Sequence, residues 1–115
     1  MKDWDISQST MNDDTLVLTP GMMLDNNNAH EMVEAITEAQ MKGFKFIIMD
    51  MCHLEFLSSA GVGSILGTIE TSREMGGDII LFNVSSTIQH VLEALDLADF
   101  LTISSTEQEA VALCK

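Results

Sequence analysis

Two adjacent hydroxyls, Ser58 and Ser59, stand in the segment Phe56-Leu57-Ser58-Ser59-Ala60-Gly61-Val62-Gly63, where an apolar run gives way to residues of helical spacing. A serine at such a junction can cap the helix, receive a phosphate or, with a base beside it, act as a nucleophile. Ser59, His53 and Asp50 are the residue types of a hydrolytic triad. The chain nevertheless lacks a G-x-S-x-G turn and any pattern for an oxyanion site, which disfavours a small α/β hydrolase using Ser59. No catalytic residue is assigned.

Other chemistries find less support. Gly61, Gly63 and Gly67 are spaced G-x-G-x-x-x-G, one residue away from the dinucleotide fingerprint, and no Gly-Lys-Ser/Thr sequence exists for a phosphate loop. These glycines read better as a device that keeps the helix start slim, so that another surface can approach it. His30, His53 and His90 fall in separate segments, without a second His or Cys at metal-ligand spacing, and Cys52 and Cys114 form no C-x-x-C. Neither a metal nor a cofactor is predicted, and the sparse cysteines suit a reducing, cytoplasmic compartment.

The elements that must position Ser58 and Ser59 follow from periodicity. Trp4, Ile6 and Gln8 alternate with polar residues, Asn12-Asp13-Asp14 is turn-like, and Thr15 to Thr19 is a β-branched run closed by Pro20-Gly21. The chain thus opens with two paired strands. Asn28 and Glu31 have capping-box spacing, and Ala29, Met32, Val33, Ile36 and Gln40 mark one face of a helix stopped by Gly43. Phe44 to Met49 then reads as a strand buried on both sides.

A second helix, capped by Ser58 or Ser59, carries Val62, Ile65, Leu66 and Ile69 on one face and stops at Gly76-Gly77. Ile79 to Val84 is another apolar strand. Ser86 and Gln89 again have capping-box spacing, before the stripe Ile88, Val91, Leu92 and Leu95. A short strand at Leu101 to Ile103 and a helix capped near Ser105 or Thr106 complete the order β-β-α-β-α-β-α-β-α. That alternation predicts an α/β fold with a mixed, mostly parallel sheet. The nine methionines read as pliable core, with Met22 and Met23 as candidates for exposed contact residues.

Composition limits the partners. The 115 residues fit one domain, and 46% hydrophobic against 20% charged residues is an ordinary globular balance. The net charge of −13 opposes binding to nucleic acid, which attracts clustered Lys and Arg. Between Asp3 and Met41 there are eight carboxylates and no Lys or Arg. A partner with a basic face would be steered towards them, although a merely solvated acidic surface accounts for them equally well. The first residues contain no apolar leader and no run is long enough to span a bilayer, so export and membrane insertion are not expected. Nothing in the pattern suggests self-association, and a monomer is expected.

Several segments in this order resemble one family. Leu18-Thr19-Pro20-Gly21, Met23-Leu24-Asp25, Ile47-Ile48-Met49-Asp50, Leu54 to Gly61 and the Gly76-Gly77 pair before IILFNV are similar to the STAS domain of bacterial anti-sigma factor antagonists and sulfate transporter tails. The resemblance runs from about Ile6 to Leu113. It implies a sheet of about five strands with helices packed mainly on one side, and a regulatory protein without catalysis of its own.

In the antagonists the pattern before the second helix is Phe-x-Asp-Ser-Ser/Thr/Ala-Gly, with the serine two places before the glycine phosphorylated. Ser59 holds that position, and Ser58 replaces the family aspartate. Asp25 matches a family acidic position near the phosphosite, with Asn26 and Asn27 beside it. The implied partner surface is Asp25, Asn26, Asn27, Ser58, Ser59, Ala60, Gly61, Val62 and Gly63. The implied partners are an anti-sigma factor serine kinase of the histidine-kinase-like ATPase class, bound until Ser59 is phosphorylated, and a metal-dependent serine phosphatase. The departure at Ser58 keeps a second reading open, a STAS subunit that serves a transporter complex without phosphorylation.

Overall fold

The computed structural model describes residues 7–114. Strand β1 (Ser7–Asn12) runs antiparallel to β2 (Thr15–Thr19), with Gln8 opposite Leu18. Trp4 and Ile6, expected in the first strand, lie outside the described residues. A two-residue strand β3 (Met23–Leu24) leads into helix α1 (Ala29–Met41), and β4 (Phe46–Asp50) follows. Then come β5 (Phe56–Leu57), α2 (Ser59–Glu74), β6 (Asp78–Phe82), α3 (Ser86–Ala94), β7 (Thr102–Ser104) and α4 (Glu107–Ala112).

The main sheet has the order β1-β2-β4-β6-β7, parallel except for β1. Strands β4 and β6 are central because their residues are apolar on both faces, as the two-residue strand period then requires. Leu16, Leu18, Ile47, Met49, Ile79 and Leu81 face a core that also takes Met32 and Ile36 of α1, Val62, Ile65 and Ile69 of α2, and Ile88 and Leu92 of α3. On the other face Phe46, Ile48 and Ile80 meet Ala110 of α4 and Cys114. Three helices therefore cover one side of the sheet and α4 the other.

Helices α1 and α2 pack through small and polar residues. Ser64, Thr68 and Ser72, four residues apart, are buried along α2. The buried Gln40 of α1 donates through Nε2 to the Thr68 carbonyl (2.8 Å) and to Ser72 Oγ (2.9 Å), so its amide is satisfied inside the interface. At the far end of α2, Arg73 pairs with Asp78 at 2.9 Å and donates to the Phe100 carbonyl, fixing the helix to β6 and to the segment before β7.

Several expectations are corrected. Asn28 does not cap α1 with its side chain, because that side chain is turned back into the preceding loop. The cap of α3 is Ser85, one residue before the expected Ser86, and its Oγ accepts from the Ile88 N–H. Leu95 ends α3 and is 46% exposed, outside the core stripe. Among the methionines, Met32, Met49 and Met51 are core, whereas Met22, Met23, Met41 and Met75 are exposed. The strands β3 and β5 were not expected at all, since two residues are too few to show a period.

Candidate functional site

The site is built at the carboxyl ends of the central strands. The Asp50 carboxylate closes β4 by accepting from the Cys52 N–H (3.1 Å) and Asn83 Nδ2 (2.9 Å), which sets the turn that carries the chain outward. After that turn β5 pairs in parallel with β3, Met23 against Phe56 and Leu24 against Leu57. The Met22 carbonyl receives both the Glu55 and Phe56 N–H groups, and the Leu24 carbonyl receives the Ser58 N–H at 3.0 Å. Asp25 and Ser59, which directly follow Leu24 and Ser58, are thus held at neighbouring ends of one small ribbon.

The two hydroxyls take different work. Ser58 is extended (φ −88°, ψ 171°), and its Oγ accepts from the Gly61 N–H at 3.2 Å, satisfying a donor at the start of α2. Ser59 is the first residue of the helix, exposed, and its hydroxyl bonds to no described residue. One serine is spent on the cap and the other stands free beside the positive end of the helix dipole. Ser58→Ala is expected to lower stability by ~1 kcal/mol, read from urea denaturation, while leaving the Ser59 hydroxyl in place.

The facing loop is locked from inside. Asn28 is 1% exposed; its Nδ2 donates to the Met23 carbonyl (2.7 Å) and its Oδ1 accepts from the Asp25 N–H (2.8 Å). The Asp25 carboxylate accepts from the Asn27 N–H at 2.9 Å, and the Asp25 carbonyl from those of Asn28 and Ala29. Removing a buried partner of this kind costs about 1–3 kcal/mol. Asn28→Ala should therefore destabilise the protein by about 2 kcal/mol and speed hydrogen exchange at the Asp25 amide, measurable by NMR.

Of the residues expected at the surface, Asn26, Asn27, Ser59 and Gly63 are exposed, and Asp25, Ser58 and Ala60 are half-buried. Gly61 and Val62 are buried and support the surface from beneath. A Cβ built on Gly61 would lie 2.5 Å from the Leu24 carbonyl oxygen, so only glycine lets α2 start against β3. A Cβ built on Gly63 would meet no described atom outside its own helix within 4 Å, so this glycine simply leaves the outer face of the helix flat. Phe56, 49% exposed, adjoins this surface and was missed, because nothing in Glu55-Phe56-Leu57 tells which apolar side chain turns inward.

A hydrolytic arrangement is not assembled. Asp50 is engaged by Cys52 and Asn83, and no hydrogen bond among the described residues joins His53 to Asp50 or Ser59. His30 instead pairs with Glu34 at 2.6 Å on the exposed face of α1. No group of three or more His, Cys, Asp or Glu side chains among the described residues could hold a metal ion. Both cysteines are free, and the Cys52 thiol is pushed above its ordinary value by desolvation first and then by Asp50. No helix among the described residues is long and apolar enough to cross a membrane.

The STAS domain profile matches residues 7–110. This chain belongs to the STAS domain family. An anti-sigma F factor antagonist from Lysinibacillus sphaericus is 28% identical over 99 residues, 85% of this chain and 84% of that protein. The unphosphorylated anti-sigma factor antagonist SpoIIAA superposes with a TM-score of 0.81 at 26% identity, over 93% of each chain. The Bacillus cell fate determinant SpoIIAA in its phosphorylated form gives 0.73 at 26% identity, over 94% of this chain and 97% of that one. The STAS domain described here therefore has relatives over nearly its whole length, and its five-stranded, mostly parallel sheet matches theirs.

Proposed function

We propose that this STAS protein is an anti-sigma factor antagonist, a binding protein rather than an enzyme, whose hold on its partner is controlled at Ser59. Unmodified, it binds an anti-sigma factor that is also a serine kinase of the histidine-kinase-like ATPase class. Phosphorylated on Ser59 it lets go, and a metal-dependent serine phosphatase restores it. The observation that carries this reading is the division of labour at the helix start: Ser58 supplies the cap, and the adjacent Ser59 hydroxyl is exposed and bonds to no described residue.

Physical chemistry supports a switch at that atom. A phosphate adds about 1.5–2 negative charges, and a helix N-terminus tolerates an anion through its dipole and unpaired N–H groups. The fold is retained and the docking surface, already acidic, becomes more negative at its centre. A phosphorylated SpoIIAA with the same overall fold is consistent with that division. The partner surface consists of Asp25, Asn26, Asn27, Ser58, Ser59, Ala60 and Gly63, seated on Gly61 and Val62.

The test is affinity capture from the native cell extract with wild type, Ser59→Ala and Ser59→Glu as baits, followed by mass spectrometry. Recovery of an ATPase-fold kinase by the first two baits but not the third is the expected result. Equal recovery of one partner by all three, above all a transporter subunit, would replace the switch by a fixed structural role. Ser58 in place of the family aspartate is the residue that favours this second outcome.

A further inference from the structure

The outer face of the β3–β5 ribbon is apolar where a solvent-facing surface would be polar. Met22 is 43% exposed, Met23 36% and Phe56 49%. Met23 and Phe56 lie directly opposite each other in the parallel register, and Met22 precedes them with its carbonyl bound to the Glu55 and Phe56 N–H groups. Leu24 and Leu57, the next residues along, are buried at 1% and 6%. The two-residue strand period therefore turns Met23 and Phe56 away from the core. The ribbon runs straight into Ser58 and Ser59, so this face continues the Ser59 surface.

Among the described residues, the chain neighbours of the patch carry one sign of charge. Glu55 is exposed beside Phe56, Asp25 lies at the end of β3, and no Lys or Arg occurs between residues 3 and 41 or between 46 and 72. We propose that Met22, Met23 and Phe56 are the apolar anchor of this docking surface, and that they fit a partner protein offering an apolar socket bordered by Lys or Arg. This deepens the reading of the Ser59 surface and rests on it. Phe56 supplies a stiff aromatic plug of the kind that dominates binding energy, and the two methionines adapt their shape around it. A second copy of this chain is a poor occupant, since it would press the same carboxylates together in a molecule of net charge −13.

The experiment replaces Phe56 by the photo-cross-linker p-benzoylphenylalanine in the full chain in its native cells, with Met41, 83% exposed at the end of α1, as the control position. The expected result is an adduct with another protein, formed at position 56 and not at 41, whose cross-linked peptide contains Lys or Arg beside apolar residues. With that protein purified, Phe56→Ser should weaken binding by about tenfold or more and Phe56→Leu by about threefold or less, the far-ultraviolet circular dichroism being unchanged. An adduct with the chain itself, an adduct lacking basic residues, no adduct above the control, or unaltered binding by Phe56→Ser would each overturn the proposal. Repeating the cross-link in Ser59→Glu separates the two readings. Loss of the adduct ties the anchor to the switch, whereas its persistence leaves the anchor standing and removes Ser59 from its control.

Discussion

Ser59→Glu should weaken partner binding by about 100-fold, while Ser59→Ala stays within about threefold of wild type, when the captured kinase is titrated by calorimetry. The asymmetry follows from what each substitution does at the first turn of α2. Alanine removes a hydroxyl that bonds to no described residue. Glutamate places a charge on the exposed side of a surface that the partner must approach closely, and about 2.7 kcal/mol of unfavourable contact suffices for 100-fold. Full phosphorylation carries more charge and should exceed it. The same charge lies near a helix N-terminus, where it stabilises by about 0.3–1 kcal/mol. Urea denaturation should therefore show Ser59→Glu at least as stable as wild type. A parallel loss of stability and affinity would mean that the switch acts through the fold.

Gly61 and Gly63, two residues apart on α2, should respond to alanine in opposite ways. At Gly61 the new Cβ would meet the Leu24 carbonyl oxygen at 2.5 Å, Leu57 Cδ1 at 2.9 Å and Leu24 Cγ at 3.0 Å. The first of these is backbone, and the same carbonyl accepts the Ser58 N–H. Relief requires α2 to lift off β3, which takes Ser58 and Ser59 with it. Gly61→Ala is expected to lose about 3 kcal/mol, the upper part of the range for overpacking, and to lose partner binding as well. At Gly63 the new Cβ would meet no described atom outside its own helix within 4 Å, so alanine should stabilise the helix by up to about 1 kcal/mol through propensity. The added methyl nevertheless sits on the exposed face, and binding should weaken without any loss of stability. Denaturant midpoints and titrations on both variants check the pair, and equal stabilities would contradict the contact at Gly61.

The elements that carry a period were legible in the chain. FIIM and IILF are continuous apolar runs and became the cores of the two central strands, and the stripes Met32–Ile36 and Val62–Ile65–Ile69 became the buried faces of α1 and α2. Elements without a period were not. The ribbon of Met23-Leu24 with Phe56-Leu57 exists because residues far apart in sequence hydrogen-bond, and neither half has a pattern that foretells the other. Asn28 shows how a local rule yields to a tertiary one: its spacing to Glu31 fits a cap, yet two better-placed backbone partners, Met23 and Asp25, draw the side chain inward.

The same distinction holds at the candidate site. The amino-acid sequence by itself determined that two hydroxyls meet a glycine-bearing helix start, because caps, stops and hydrophobic periods are local properties of the chain, and the likeness of its ordered motifs to known domains separately pointed to the STAS family. Tertiary structure alone decided that the ribbon sets Asp25 beside that helix start, that Gly61 is closed over by Leu24 while Gly63 lies open, and that Phe56 faces water while Leu57 faces the core. Those outcomes depend on which distant backbone groups and surfaces come within a few ångströms of one another, and no spacing along the chain encodes that distance.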